Sequence, residues 1–470
     1  MKTRLLTILC SFAAAGAFAA NTWYVDATRP DDSGDGRSAA TAKHTIQAAV
    51  DLAAGGDTVY VAPGRYNEGT VTCSFDSSKA RVVITNRINL VATGKKEETL
   101  IDGANSMRCV LVYYSSASGS GKNTKSKDTV IRGFTICNGK TGSGNTNYGA
   151  GVYMPESYLV DCIVRDNVTA GRGGGSYGGT AVRCLYTANK TTHSTSPYGS
   201  AASGTKFLNS VIAFNVKGAK DPYLFNGPGM VVNCTIVGNE SSVYGYTTAR
   251  PYLYNSIYVG NTGQKFHADN KPVVSNCVYA AGTSNIDASL AGNNSTTVPS
   301  RCFGGPQFGD WRPTAAFGIE SRGDAAYLTK ITLPASIESE RYIDYNGKPI
   351  NESGPITCGA VQEVCTAQTL FRLDDVNWQV EGMTCETNSA SSTYVSQPYF
   401  WTDDVGVFKI RCPNATISNV VWYTMFTNWV ACTTRYPDMD NWTTVVPVPG
   451  ASNTVTCVSP EKVLYVDTPQ

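Results

Sequence analysis

One seven-residue pattern recurs seven times in this chain, and no other feature constrains its fold as much. DCIVRDN from Asp161, RCLYTAN from Arg183, NSVIAFN from Asn209, NCTIVGN from Asn233 and NSIYVGN from Asn255 align without gaps. Two weaker copies flank them, GFTICNG from Gly133 and NCVYAAG from Asn276. The starts are separated by 28, 22, 26, 24, 22 and 21 residues. A unit of that length cannot bury its apolar side alone, so successive units stack into a solenoid of coils.

Each aligned column has a physical meaning. The first holds Gly133, Asp161, Arg183, Asn209, Asn233, Asn255 and Asn276; the last holds Gly139, Asn167, Asn189, Asn215, Asn239, Asn261 and Gly282. Asn and Gly tolerate left-handed backbone, so both columns read as turns. Asn amides can also bond along a ladder when strands pile up about 4.8 Å apart. Between the turns lies one short strand. Its second position (Phe134, Cys162, Cys184, Ser210, Cys234, Ser256, Cys277) and its fourth (Ile136, Val164, Tyr186, Ile212, Ile236, Tyr258, Tyr279) share a face and are expected inside. The position between them carries Ile163, Leu185, Val211, Thr235, Ile257 and Val278 outward, an apolar stripe suited to meeting a loop or another domain. Cys162 and Cys184 fall on adjacent rungs about 4.8 Å apart, longer than a relaxed disulfide prefers, and read as buried thiols.

The flanks complete this organisation. Residues 1–19 read as a secretory signal: Lys2 and Arg4, an apolar run, and Ala17-Phe18-Ala19 as a cleavage site. The apolar run is too short for a comfortable membrane span, and no later segment offers one. Ile46, Ala49, Val50 and Ala53 recur at helical spacing after Thr45 and before Gly55-Gly56, giving one amphipathic helix able to cap the open end of the stack. Beyond Cys365 the texture changes, with Trp378, Trp401, Trp422, Trp429 and Trp442 among short alternating runs. A small β-sandwich fits there, its five Cys together with Cys358 reading as disulfides of undetermined pairing. Those Trp read as sandwich core first and as sugar-stacking groups second.

The opening WYVDATRPDDSGDGRSAATAKHTIQAAVDLAAGGDTVYVAPGRY resembles that of bacterial right-handed parallel β-helix repeat proteins of the pectin-lyase-like superfamily. GAGVY from Gly149 and GRGGGSY from Gly171 resemble the body of the same group. GGPQFGDWRPTAAFGIESRGDAAYL and YIDYNGKPINESGPITCGAVQEV resemble its terminal segments, although Thr357-Cys358-Gly359-Ala360-Val361-Gln362 departs from the usual Asp-x-Gly-Ala-Tyr-Glu ending. The expected architecture is therefore all-β: a right-handed parallel β-helix over 20–363 with an N-terminal capping helix, then a small β-sandwich-like domain over 364–470.

The resemblance implies an exported or cell-surface protein engaging extracellular polysaccharide. A polysaccharide lyase or glycosidase acting on acidic glycans is the enzymatic form; a non-catalytic adhesin or scaffold, with the tail as an interaction module, is the alternative. The segments that carry catalysis in pectin methylesterases and pectate lyases have no match here. A lyase of this kind would use Ca2+ to neutralise a uronate carboxylate while Arg or Lys removes the neighbouring proton; no cofactor is otherwise implied. The best local cluster is Asp161, Arg165, Asp166 and Arg183 on two adjacent coils, with Lys190 and His193 following. These four are the candidate catalytic residues, although an ordinary surface ion cluster has the same composition. His44, His193 and His267 are scattered and make no metal trio. The chain has 38 basic and 37 acidic residues, and losing Lys2 and Arg4 with the leader puts the acidic ones one ahead. Such a balance offers no basic stripe for nucleic acid. Nothing after Val463-Leu464-Tyr465 resembles a sorting signal, so release and surface retention both stay open.

Overall fold

The computed structural model describes residues 20–364, apart from 76–77, 119–121, 143–146, 193–198, 217–222, 228, 241, 245–250, 262–270, 282, 284–292, 299–302, 306–309 and 314–316. Beyond them it describes the backbone of strands between 368 and 467. The leader over 1–19, His193, His267 and Gly282 lie outside the described residues.

The seven aligned segments stack as the repeat requires. The chain visits three long sheets in turn: one of ten strands from Thr22–Val25 to Val273–Ser275, one of nine from Gly64–Tyr66 to Val278–Tyr279, and one of eight from Val71–Thr72 to Ser242–Tyr244. Neighbouring strands are parallel and in register, as in Ile136↔Val164↔Tyr186↔Ile212↔Ile236↔Tyr258. The Val71–Thr72 edge of the third sheet is antiparallel. This is a right-handed parallel β-helix. The described C-terminal strands pair antiparallel, so the described residues are all-β apart from short helices.

The first column forms the turn between the first and second sheets, with Asp161, Arg183, Asn209, Asn233, Asn255 and Asn276 all at φ of 50–56°. The turn after the second sheet departs from expectation. Its left-handed residue is one position earlier, at Asn138, Asp166, Ala188, Phe214, Gly238 and Gly260. Even Ala188 and Phe214 adopt that conformation, although a Cβ disfavours it. The cause is the next residue, whose amide is drawn inward to bond.

Asn167, Asn189, Asn215, Asn239 and Asn261 form a buried ladder, each Nδ2 donating to the Oδ1 of the next at 2.8–3.0 Å. The backbone N–H of each of the first four donates to the same oxygen, as in Asn215 to Asn239 at 2.9 Å. The second Nδ2 proton reaches a carbonyl one rung back, such as Tyr186 O from Asn215 at 2.9 Å. The side-chain amides of the ladder are thus bonded to one another and to the backbone, which is what buried amides require.

The second column mixes Cys and Ser for a visible reason. Cys162, Cys184, Cys234 and Cys277 each donate to the carbonyl two residues back at 3.1–3.4 Å, and Ser210 and Ser256 do the same at 2.8 Å. Thiol and hydroxyl fill one role in this buried corner. All eight described Cys are buried, and Cys109, Cys137, Cys162, Cys184, Cys234, Cys277 and Cys358 are free thiols. Burial pushes the Cys234 and Cys277 thiols up to about 12, which keeps them protonated and inert. Cys358, expected among the C-terminal disulfides, is instead a free thiol that donates to Asn276 O at 2.9 Å, against the last coils. The other five Cys of that group lie where no side chain is described.

The N-terminal end and the outer faces of the first two sheets are covered by the chain itself. α1 (Ile46–Leu52) is capped by the Thr45 hydroxyl and buries Ile46, Ala49 and Val50 over the first coil. Gln47 bonds Val83 through both amide atoms, at 2.7 and 3.1 Å, which closes the strand there. Residues 317–361 run back along the solenoid as a strap. Leu328, Ile331, Leu333 and Ile337 of the strap pack on Val160, Val182, Leu208 and Val232 of the first sheet. Phe317, Ile319 and Cys358 cover Ile257 and Val278 of the outward apolar stripe, while Trp311, Ala360 and Val361 cover Val211. Asn209 and Asn255 bond strap carbonyls of Ile343 and Asp324 at 2.8 Å, docking the strap onto the turn column.

Asn215→Ala would leave the Asn189 backbone N–H and one Asn189 Nδ2 proton without their acceptor, and would remove a donor from Tyr186 O and Asn239 Oδ1. Each stranded group costs about 1–3 kcal/mol, so unfolding free energy in denaturant titration is expected to fall by about 3 kcal/mol. A fall below about 1 kcal/mol would contradict the ladder's role.

Candidate functional site

The four acid–base candidates fall into two separate corners. Asp161 and Arg183 occupy the turn between the first and second sheets. Asp161 accepts from Lys96 Nζ at 2.8 Å, and that ammonium also lies 4.9 Å from the Tyr345 ring centre of the strap. Arg183 pairs with Glu340 of the strap at 2.7 Å, and the same carboxylate pairs with Arg132 at 2.7 Å. Arg183 and Glu340 are only 10% and 12% exposed, so this is a buried clasp between coils and strap.

Arg165 and Asp166 lie at the far end of the second-sheet strand and pair with each other, both 40% exposed. Two rungs before Arg165 in the same register stands Asp102, with Cys137 between. Asp102 is fully buried and accepts from Arg65 Nε at 2.6 Å and Asn138 Nδ2 at 3.1 Å. Burial, and after it the Asp102 carboxylate, pushes the Cys137 thiol up to about 11. Sequence reasoning missed Asp102, Arg65 and Asn138 because they lie outside the best-matching repeats. Lys190, in a short sheet beside Val168, is half-buried.

The outer face of the third sheet carries a different kind of site. Gly149 and Gly173, at φ of 63° and 72°, start the strands there, and a Cβ on either would lie 2.2 or 2.0 Å from a carbonyl oxygen. Only glycine fits that turn. It delivers Tyr153 and Tyr177 to paired positions on adjacent rungs, pointing outward with parallel rings 5.4 Å apart. Tyr148, just before the first glycine, stacks on Tyr177 at 4.8 Å. Arg108, 2% exposed, donates to Tyr148 O at 2.8 Å and lies 5.6 Å from the Tyr153 ring, fixing the loop to the sheet. The Arg172 guanidinium sits 5.4 Å from the Tyr148 ring.

The three Tyr and Arg172 are half-buried, their outer surfaces open. The Tyr177 phenol is pushed up by burial, so it stays a neutral donor. Toward the N-terminus Leu111 and a Phe75–Tyr113 stack wall off the platform, and toward the C-terminus the same column continues as Ser203 and Asn226. The sequence signal was present in GAGVY and GRGGGSY, whose final residues are these two Tyr.

A Ca2+ site needs six or more oxygen ligands, usually with several carboxylates. Among the described residues no group of three or more His, Cys, Asp and Glu is placed to hold a metal ion. The two candidate carboxylates, Asp161 and Asp166, pair with Lys96 and Arg165 instead, and no step is assigned to Ca2+.

Glu340→Ala would leave Arg132 and Arg183 as unpaired charges beneath the strap. Breaking such a pair costs about 3–5 kcal/mol. Unfolding measurements should show a loss of that order, and a change within about 0.5 kcal/mol would contradict the clasp.

No protein-family model matches the sequence, and no curated protein matches it. Solved structures do. A rhamnogalacturonan lyase is 13% identical with a TM-score of 0.36, over 63% of this chain and 94% of that one. A pectate lyase is 13% identical with a TM-score of 0.40, over 74% of this chain and 98% of that one. A lacto-N-biosidase from Eubacterium ramulus is 12% identical with a TM-score of 0.24, over 55% of this chain and 59% of that one. Each is a likeness of fold, and the β-helix itself stands on the sheet order and register.

Proposed function

We propose that this protein engages an extracellular acidic polysaccharide along the outer face of its third sheet. The observation that carries the reading is the stack of Tyr148, Tyr153 and Tyr177 beside Arg172. A tyrosine ring offers a flat apolar surface to the C–H face of a sugar, and its phenol bonds the hydroxyls at the edge. A guanidinium alongside matches a carboxylate on the same or the next ring. The parallel register gives a rigid surface, so little ordering entropy opposes binding.

The surroundings of the acid–base quartet support binding rather than cleavage. Arg183 is held by Glu340 and Asp161 by Lys96, leaving Arg165 and Asp166 as the pair to test for chemistry. A secretory leader would bring the protein to its polysaccharide outside the cell. No helix among the described residues is long and apolar enough to cross a membrane.

Electrophoresis in gels containing a panel of uronate and neutral polysaccharides tests this directly. Retardation by at least one uronate polymer is expected, weakened about tenfold, or about 1.4 kcal/mol, in Y153A and Y177A. Equal retardation of wild type and both variants would overturn the assignment. Appearance of unsaturated uronate in the same incubations would overturn the preference for binding over cleavage.

A further inference from the structure

The tyrosine platform is open over two rungs only. Its column on the third sheet runs Val83, Leu111, Tyr153, Tyr177, Ser203 and Asn226, one residue per rung. The residues before the first three, Val82, Val110 and Val152, face the core, so this column faces outward. Outward residues on a bare sheet are exposed, yet Leu111 is 1% and Ser203 4% exposed, and Val83 and Asn226 are buried with them. Only Tyr153 and Tyr177 keep an open surface. Two rungs span about 10 Å along the solenoid axis.

The closure toward the N-terminus has a visible cause. Val71 and Thr72 pair antiparallel with Ala80 and Lys79, and the Cys73 N–H donates to Ser78 O at 2.7 Å, which makes a hairpin neck at the sheet edge. Cys73 and Phe75 beyond that neck pack with Val83, Leu111 and Tyr113 in one apolar cluster, and Tyr153 leans on its edge. The Phe75 and Tyr113 rings lie 4.9 Å apart and 7° from parallel. Removing these side chains from water holds the wall in place. Across the strands, Tyr148 and Arg172 stand on the side where the strands begin. On the side where they end, the Tyr177 rung turns at Gly178 and Gly179, both at φ of 71°, and presents no side chain.

We infer that the hairpin closes the tyrosine platform into a blind site, which takes the terminus of a polysaccharide chain rather than its interior. A polymer lying along the solenoid axis would meet the Phe75–Tyr113 wall within two rungs, and passing it would mean exposing the apolar cluster beneath. A chain end stacked on Tyr153 and Tyr177 meets no such obstacle, and the rest of the chain leaves over the bare glycine turn. The inference rests on the polysaccharide reading of this face and adds which part of the polymer the face holds.

Displacement of the protein from beads carrying polygalacturonate, alginate or hyaluronate tests it. The competitor is the same polymer in solution, either whole or cut by mild acid to about a tenth of its length. An end-binding site counts chain ends and an interior-binding site counts sugar units. The mass of competitor needed for half displacement should therefore fall about tenfold on cutting. F75A, which removes one ring of the wall, should bring the two competitors toward equal potency by mass. Should F75A fail to fold, the wild-type comparison decides alone. Equal potency by mass with wild type, or an undiminished difference in F75A, would overturn the chain-end assignment and leave polysaccharide binding in place. No capture by any of the three polymers would overturn the polysaccharide reading, and the inference with it.

Discussion

The buried asparagine ladder is the interaction on which the rest of this structure depends. A parallel stack gains most when every rung repeats the same register, yet each rung must also turn a corner with its backbone polar groups buried. Asn167, Asn189, Asn215, Asn239 and Asn261 solve both problems together. Each amide accepts from the rung before it and donates to the rung after it. A slip of one residue would break every such bond and turn the inward column outward. The ladder also sets the left-handed residue before it, which is why Ala188 and Phe214 tolerate a conformation that Asn or Gly would enter more easily.

Fixed register has consequences at the surface. On the third sheet it turns two tyrosines, one from each of two successive coils, into a continuous aromatic platform. On the first and second sheets it produces apolar stripes that water would not tolerate, and the strap from 317 to 361 covers them. The division of labour follows: two faces hold the strap, and the third is left with aromatic and cationic groups half open. The charged clasp of Arg132, Glu340 and Arg183 pins the strap where the covering begins.

What could be read in the sequence follows the same logic. The inward columns and the first turn column were legible because equal spacing from a common turn puts like residues in register. The second turn was misplaced by one residue, since an Asn in a buried ladder and an Asn in a left-handed turn look alike in one dimension. The partner of Arg183 was not legible, because Glu340 is brought to it only by the returning strap. Tyr153 and Tyr177 were visible as motif endings, but loops of unequal length precede them, so their pairing had to be seen in three dimensions.

A structure of the protein with a bound uronate oligosaccharide tests the account most directly. The account predicts sugar rings lying against Tyr148, Tyr153 and Tyr177, with a carboxylate at Arg172. Sugar bound on another face, with the tyrosine platform bare, would contradict it.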